Sequence, residues 1–153
     1  MTKASVQHAT LVVERKFEAS PARVFAAWAD PAVKRRRFVE GEGWEVAEHQ
    51  LDFRVGGREH SCFRPTGGPT FVNETQYNDI VPDQRIIFTY SMARENEPPF
   101  SVSLATVELT AAGAGTLLVF TEQGAFLEGA DGPRMREQGW GFLMKALERE
   151  LNR

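Results

Sequence analysis

His60 and Cys62 are two apart, so on an extended segment they share a face, and imidazole and thiolate both ligate zinc. A further imidazole, His49, lies on the segment before Gly56-Gly57 and could reach them across that hairpin. No third and fourth ligands are evident from the spacing, so no metal site is expected. Cys62 also lacks a recognisable base to make it a nucleophile and reads as structural. The carboxylates offer more: Glu59, Ser61 and Phe63 share one strand face, and so do Leu118, Phe120 and Glu122. A carboxylate in an apolar interior must be paired, hydrogen-bonded or protonated, because desolvation penalises its charge. Such a group could contact a ligand or exchange protons with a substrate. The plainer alternative is an ion pair at the edge of the interior with Arg54, Arg58 or Arg64. There is no Gly-x-Gly-x-x-Gly after a strand, phosphate loop, His-Glu-x-x-His or Gly-x-Ser-x-Gly. Nucleotide-dependent and zincin chemistry are therefore not expected, and no cofactor is implied.

Several elements must position these residues. Residues 8–17 alternate, with Leu11, Val13 and Phe17 on one face and Val12 and Glu14 on the other, which predicts a strand. Ser20-Pro21 reads as an N-cap followed by proline in the first turn of a short helix ending near Asp30-Pro31. A second helical piece, about residues 31–37, carries Lys34-Arg35-Arg36-Arg37, read as a solvated face rather than a site for anions or membrane surfaces. Strands are predicted at about 44–54, 58–64, 70–81, 85–93, 100–110 and 115–123, with a tight hairpin at Gly56-Gly57 and another at Gly113-Ala114-Gly115. The gaps are too short for crossover helices, so the strands form an antiparallel meander. From Pro133 the period changes: Trp140, Leu143, Met144, Leu147 and Leu151 form a helical stripe, with Arg134, Arg136, Glu137 and Lys145 elsewhere. A lone helix cannot bury that stripe, so it must lie across the concave face of the sheet. The result is an α+β domain over residues 1–153: strand, two short helices, six strands, long helix.

Phase then assigns the interior. If Ile86, Phe88, Tyr90 and Met92 face the helix together with Ala105, Val107 and Leu109, then Leu118, Phe120 and Glu122 do so too. Tyr90 would offer an apolar body and a polar tip, free for a ligand or satisfied by Glu59 or Glu122. Trp140 either lines a pocket or anchors the helix. Trp28 reads as core and Trp44 as near the mouth of the interior.

Composition removes whole classes of function. Hydrophobic residues make up 42% and charged residues 25%, enough for a real core. Eighteen basic against 21 acidic residues give a net charge of −3, which argues against nucleic acid as a partner. No apolar run approaches the roughly 20 residues of a membrane-spanning helix, and the N-terminal residues carry no signal-peptide pattern. With Cys62 the sole cysteine, the expected location is the cytoplasm.

Phe17-Glu18-Ala19-Ser20-Pro21-Ala22-Arg23-Val24-Phe25, Asp30-Pro31, Asp52-Phe53-Arg54-Val55-Gly56-Gly57-Arg58, Ile80-Val81-Pro82-Asp83-Gln84-Arg85-Ile86-Ile87-Phe88-Thr89 and Gly139-Trp140 occur in an order that resembles the START-like (SRPBCC) superfamily. Within it the chain is most similar to the branch homologous to the C-terminal domain of the activator of Hsp90 ATPase. The resemblance implies a helix-grip (START/Bet v1-like) fold, a curved antiparallel sheet of six to seven strands wrapped around the C-terminal helix. It also implies a cavity that relatives use for lipids, sterols, polyketides or plant hormones, some of them as cyclases or other enzymes. In the family register Glu59, Ser61 and Phe63 face inward, and His60 and Cys62 outward. The family often places aromatic or aliphatic residues at Glu59 and Ser61 and an aromatic at Arg37. A mostly apolar small molecule is thus the expected partner, contacting Phe63, Phe88, Tyr90, Met92, Phe120 and Trp140 and oriented by Glu59, Ser61 and Glu122. The alternatives are a small cyclase, dehydratase or hydrolase using Glu59, Glu122 and Tyr90, and a chaperone-associated interaction module. A homodimer is the commonest assembly such a chain would form.

Overall fold

The alternation of the first strand emerges as expected: β1 (Val6–Phe17) buries Leu11, Val13 and Phe17 and exposes Val12. A computed structural model describes residues 4–36 and 43–153. Ser20 caps α1 (Pro21–Ala29) by accepting from the Arg23 amide, and Asp30 caps α2 (Pro31–Lys34) by accepting from the Ala32 and Val33 amides. Each cap is followed by proline, whose missing N–H costs nothing in a first turn. The second half of the Lys34–Arg37 run meets the undescribed residues at Arg37.

Six strands follow: β2 (Trp44–Leu51), β3 (Arg58–Pro65), β4 (Phe71–Val81), β5 (Arg85–Arg94), β6 (Ser101–Ala112) and β7 (Gly115–Leu127). All pairings are antiparallel, in the order β1-β7-β6-β5-β4-β3-β2, so β1 closes one edge against β7 and β2 forms the other. This curved seven-stranded sheet with its C-terminal helix is the expected α+β architecture.

Two departures from ideal hairpin geometry in the β2–β3 pair position the side chains around Glu59. The chain leaves β2 at Leu51 rather than about residue 54, so the turn is a loop from Asp52 to Gly57 and not a tight hairpin. Gly57 must be glycine there, since a Cβ would lie 2.1 Å from the Asp52 carbonyl oxygen. The Gly56 amide and Gly57 carbonyl bond the backbone of Tyr77, docking the loop onto β4. Second, β2 carries a bulge between Val46 and Glu48. Simple alternation from Val46 would turn Glu48 inward and His49 outward; the extra residue reverses both.

The final helix, α3 (Pro133–Leu151), buries Arg136, Trp140, Met144, Leu147 and Leu151. It packs on α1 and β1, and Trp140 stacks on Trp28, ring centres 6.3 Å apart and 20° from parallel. Placing Arg136 in the buried stripe corrects the expectation that it stands off the apolar face. Its spacing to Trp140, Met144, Leu147 and Leu151 is that of one helical face.

Candidate functional site

The interior between sheet and helix holds two buried carboxylates, each in its own polar cluster. Glu122, on β7, is 0% exposed. Its Oε1 accepts from the Tyr90 hydroxyl at 2.6 Å and the Trp140 indole at 2.8 Å. Its Oε2 accepts from the Ser103 hydroxyl at 2.6 Å and Arg136 Nη1 at 3.0 Å. A carboxylate offers about four acceptor positions, so Glu122 is saturated. Arg136 is equally complete, its remaining donors reaching the Tyr90 hydroxyl, Ser101 and both oxygens of Asp131. Burial and the adjacent Glu122 push the Tyr90 phenol far above its ordinary value. Burial opposes the guanidinium charge of Arg136, but Tyr90, Glu122 and Asp131 outweigh it and raise its pKa.

Glu59, on β3, is 2% exposed. Oε1 accepts from Lys34 Nζ at 2.5 Å and the Tyr77 hydroxyl at 2.7 Å, and Oε2 lies 2.9 Å from His49 Nε2. Burial alone would raise its pKa; the Lys34 charge, with hydrogen bonds from His49, Lys34 and Tyr77, overrides that and lowers it to about 2. Glu59 is therefore a fixed anion rather than a poised acid or base.

These partners differ from those the sequence suggested. The carboxylates pair with Lys34 and Arg136, not with Arg54 or Arg64, which are exposed and bond Asp52 and Glu45, nor with Arg58, also exposed. Lys34, expected on a solvated face, is 2% exposed. Successive helical residues fan around the axis, so Lys34 turns inward while Arg35 and Arg36 stay out. Tyr90 is satisfied by Glu122, one of the two partners foreseen for it. His49 joins Glu59 and not His60 and Cys62, because of the bulge in β2.

Of the nine residues singled out for a ligand, Phe88, Tyr90, Phe120, Glu122, Trp140 and Glu59 lie within the packed interior. Phe120 and Trp140 ring centres are 4.0 Å apart, and Phe88 touches both Tyr77 and Tyr90. Phe63 and Met92 are only half-buried and stand where the same strand faces reach solvent. There Trp44, Phe63, Phe71 and Phe100 form a chain of ring contacts, with centres 5.4, 6.0 and 6.2 Å apart. Between this aromatic rim and Glu59 sits Ser61, 1% exposed, whose hydroxyl has no hydrogen-bond partner among the described residues. Asn73, opposite Ser61 on β4, donates to the weakly accepting sulfur of Met92 at 3.4 Å. A shallow depression lined by His8, Thr10, Val102 and Gln123 lies on the outer face of β1, β6 and β7.

Lys34, Tyr77, Ser103 and Arg136 were missed by sequence reasoning. Ser103 was accessible, as the inward phase Ala105, Val107, Leu109 extends back to it. Tyr77 was hidden because its phase-mates Thr75 and Asn73 are polar and do not read as a core face.

A sheet gripping a C-terminal helix around such an interior defines a START-like, helix-grip protein. The family model for activator of Hsp90 ATPase homolog 1-like proteins matches residues 18–152, and the chain belongs to that family. It is similar to a structure of an uncharacterised protein from Rhizobium leguminosarum, at 42% identity and a TM-score of 0.92 over 99% of both chains. It is also similar to a crystal structure of a Rhizobium loti protein, at 51% identity and a TM-score of 0.87, covering 95% of this chain and 99% of that one. An AHSA1-like protein from Aeromonas hydrophila, 19% identical with a TM-score of 0.72 over 94% and 92% of the two chains, shares the fold. No protein of curated function matches the chain. No helix among the described residues is long and apolar enough to cross a membrane.

Proposed function

We propose that this protein binds a small, mostly apolar molecule, such as a lipid, polyketide or aromatic, at the Ser61 end of the helix-grip interior. The observation that carries it is the unpartnered Ser61 hydroxyl. A buried hydroxyl without a hydrogen bond costs about 1–3 kcal/mol, and a ligand carbonyl or hydroxyl placed there would remove that cost. The Asn73 amide nitrogen meets only the Met92 sulfur, its oxygen already accepting from Thr75, and Phe63, Phe71, Met92 and exposed Trp44 supply an apolar rim. Glu122 and Tyr90 serve instead as a structural lock, since every acceptor on Glu122 is already filled.

The test is a thermal-shift screen of fatty acids, sterols, aromatic polyketides and flavonoids. At about 100 times its dissociation constant a bound ligand adds roughly 2.7 kcal/mol and raises the midpoint by several degrees. The expected hit shifts the midpoint with concentration, and Ser61→Ala and Phe63→Ala each diminish the shift. No shift across the panel, or one that both substitutions leave intact, overturns the proposal.

A further inference from the structure

On the opposite face of the same strands, the bulge in β2 brings Glu48 outward, directly across from Cys62 and diagonal to His60. Glu48 Oε2, His60 Nε2 and Cys62 Sγ lie within 4.8 Å of one another. Sγ is 3.4 Å from Nε2 and 3.9 Å from Oε2, and Nε2 is 2.7 Å from Oε2. A tetrahedral zinc with ordinary bond lengths needs sulfur–nitrogen and sulfur–oxygen separations of about 3.6 Å and a nitrogen–oxygen separation of about 3.4 Å. Two edges of the triangle already match within a few tenths of an ångström. The third is a hydrogen bond that the metal would replace, opening by about 0.7 Å, which the exposed Glu48 side chain can accommodate.

The other ring nitrogen completes the case. His60 Nδ1 lies 2.5 Å from Glu74 Oε1 on the neighbouring strand, so Nδ1 donates there; Nε2 donates to Glu48 in the same way, and a metal would displace that proton to solvent while Glu74 kept hold of Nδ1. A carboxylate behind the ligating imidazole is the usual second partner of a zinc-bound histidine. Burial first, then Glu48, Glu95 and Glu74, disfavour the Cys62 thiolate, and those same carboxylates supply a negative field for a dication. Among the described residues this is the cluster with three donor atoms in such an arrangement.

We infer that Glu48, His60 and Cys62 form a binding site for a thiophilic divalent cation, zinc above all, with Glu74 positioning His60 and a fourth coordination position facing solvent. The site would clip β2, which pairs with β3 alone, to the rest of the sheet. Thiolate and imidazole select zinc, cobalt or nickel over magnesium and calcium.

Cobalt titration of chelator-treated protein tests it directly. The expected result is one cobalt per chain, the ligand-field bands of a tetrahedral centre, and a thiolate-to-cobalt charge-transfer band that zinc abolishes by displacement. Cys62→Ser should remove the charge-transfer band. Glu74→Gln should weaken zinc binding by about 10–100-fold while keeping the band, as a positioning residue would. The wild-type spectrum carries the test whether or not a variant folds. Absence of the charge-transfer band in wild type at millimolar cobalt, or its persistence in Cys62→Ser, overturns the site.

Discussion

Glu59 and Glu122 occupy equivalent situations, inward on β3 and β7, both essentially inaccessible and each held by a cation from a helix. Their surroundings differ in completeness. Around Glu122 every donor of Arg136 and every acceptor of the carboxylate is used, and the neighbours Phe120 and Trp140 are in close contact. Glu59 accepts from three groups, and two residues along its strand the Ser61 hydroxyl has no partner among the described residues. Burial alone would have given the two carboxylates the same role. Hydrogen-bond accounting separates a lock that fastens α3 to the sheet from an end of the interior with polar capacity left over.

The largest expected effect lies at the saturated cluster. Arg136→Met leaves Glu122 buried with no cation and should cost about 3–5 kcal/mol. At roughly 2–4 °C per kcal/mol for a chain of this size, the thermal midpoint should fall by on the order of 10 °C. Adding Glu122→Leu to Arg136→Met removes the stranded charge and should recover part of the loss. If Arg136→Met unfolds at the wild-type temperature, the cluster is not a lock and the contrast with Glu59 collapses.

Next in size is the acid response of Glu59. Its carboxyl sits at about 2 in the folded protein against an ordinary 4.5, so it stabilises the fold fully only above about pH 4.5. That contribution, about 3 kcal/mol, is lost as the pH falls from 4.5 through 2. Denaturant unfolding across this window should show the slope in wild type and a flatter one in Glu59→Gln. Lys34→Met removes the principal cause of the depression, so the folded pKa moves back toward 4.5 and the acid slope should shrink. An acid limb unchanged by both substitutions would show that Glu59 is not a fixed anion.

Alternation and helical spacing, which are local properties, made the strands, the final helix and the inward phase of Glu122 legible; the inward phase of Glu59 came from the resemblance to the family. It did not reveal their partners, and each failure has a physical cause. Lys34 and Arg136 sit at positions where periodicity says interior and residue type says solvent, and a buried counter-charge decides for the interior. His49 and Glu48 exchanged faces at a bulge that no residue pattern in β2 announces. That single inserted residue completes the Glu59 cluster on one side of the sheet and the Glu48, His60 and Cys62 cluster on the other. Pairing the carboxylates with Arg54, Arg58 or Arg64 failed because closeness in sequence along a strand says nothing about which helix lies above it.

The smallest effect discriminates most sharply. Ser103 and Ser61 are both buried inward serines, and one truncation, serine to alanine, removes the same atom from each. Ser103→Ala deletes a donor to a buried carboxylate and should destabilise by about 1–3 kcal/mol, since bonds to charged groups lie at the strong end of the range. Ser61→Ala deletes a hydroxyl with no hydrogen-bond partner among the described residues, so it should leave stability unchanged or raise it by about 1 kcal/mol. Paired denaturant titrations on the two variants read this difference directly. If Ser61→Ala costs as much as Ser103→Ala in ligand-free protein, its hydroxyl is already engaged and the proposed binding at this end of the interior loses its support. If it costs nothing while weakening the hit from the thermal-shift screen, then Ser61 is retained against its own folding cost, and binding is what retains it.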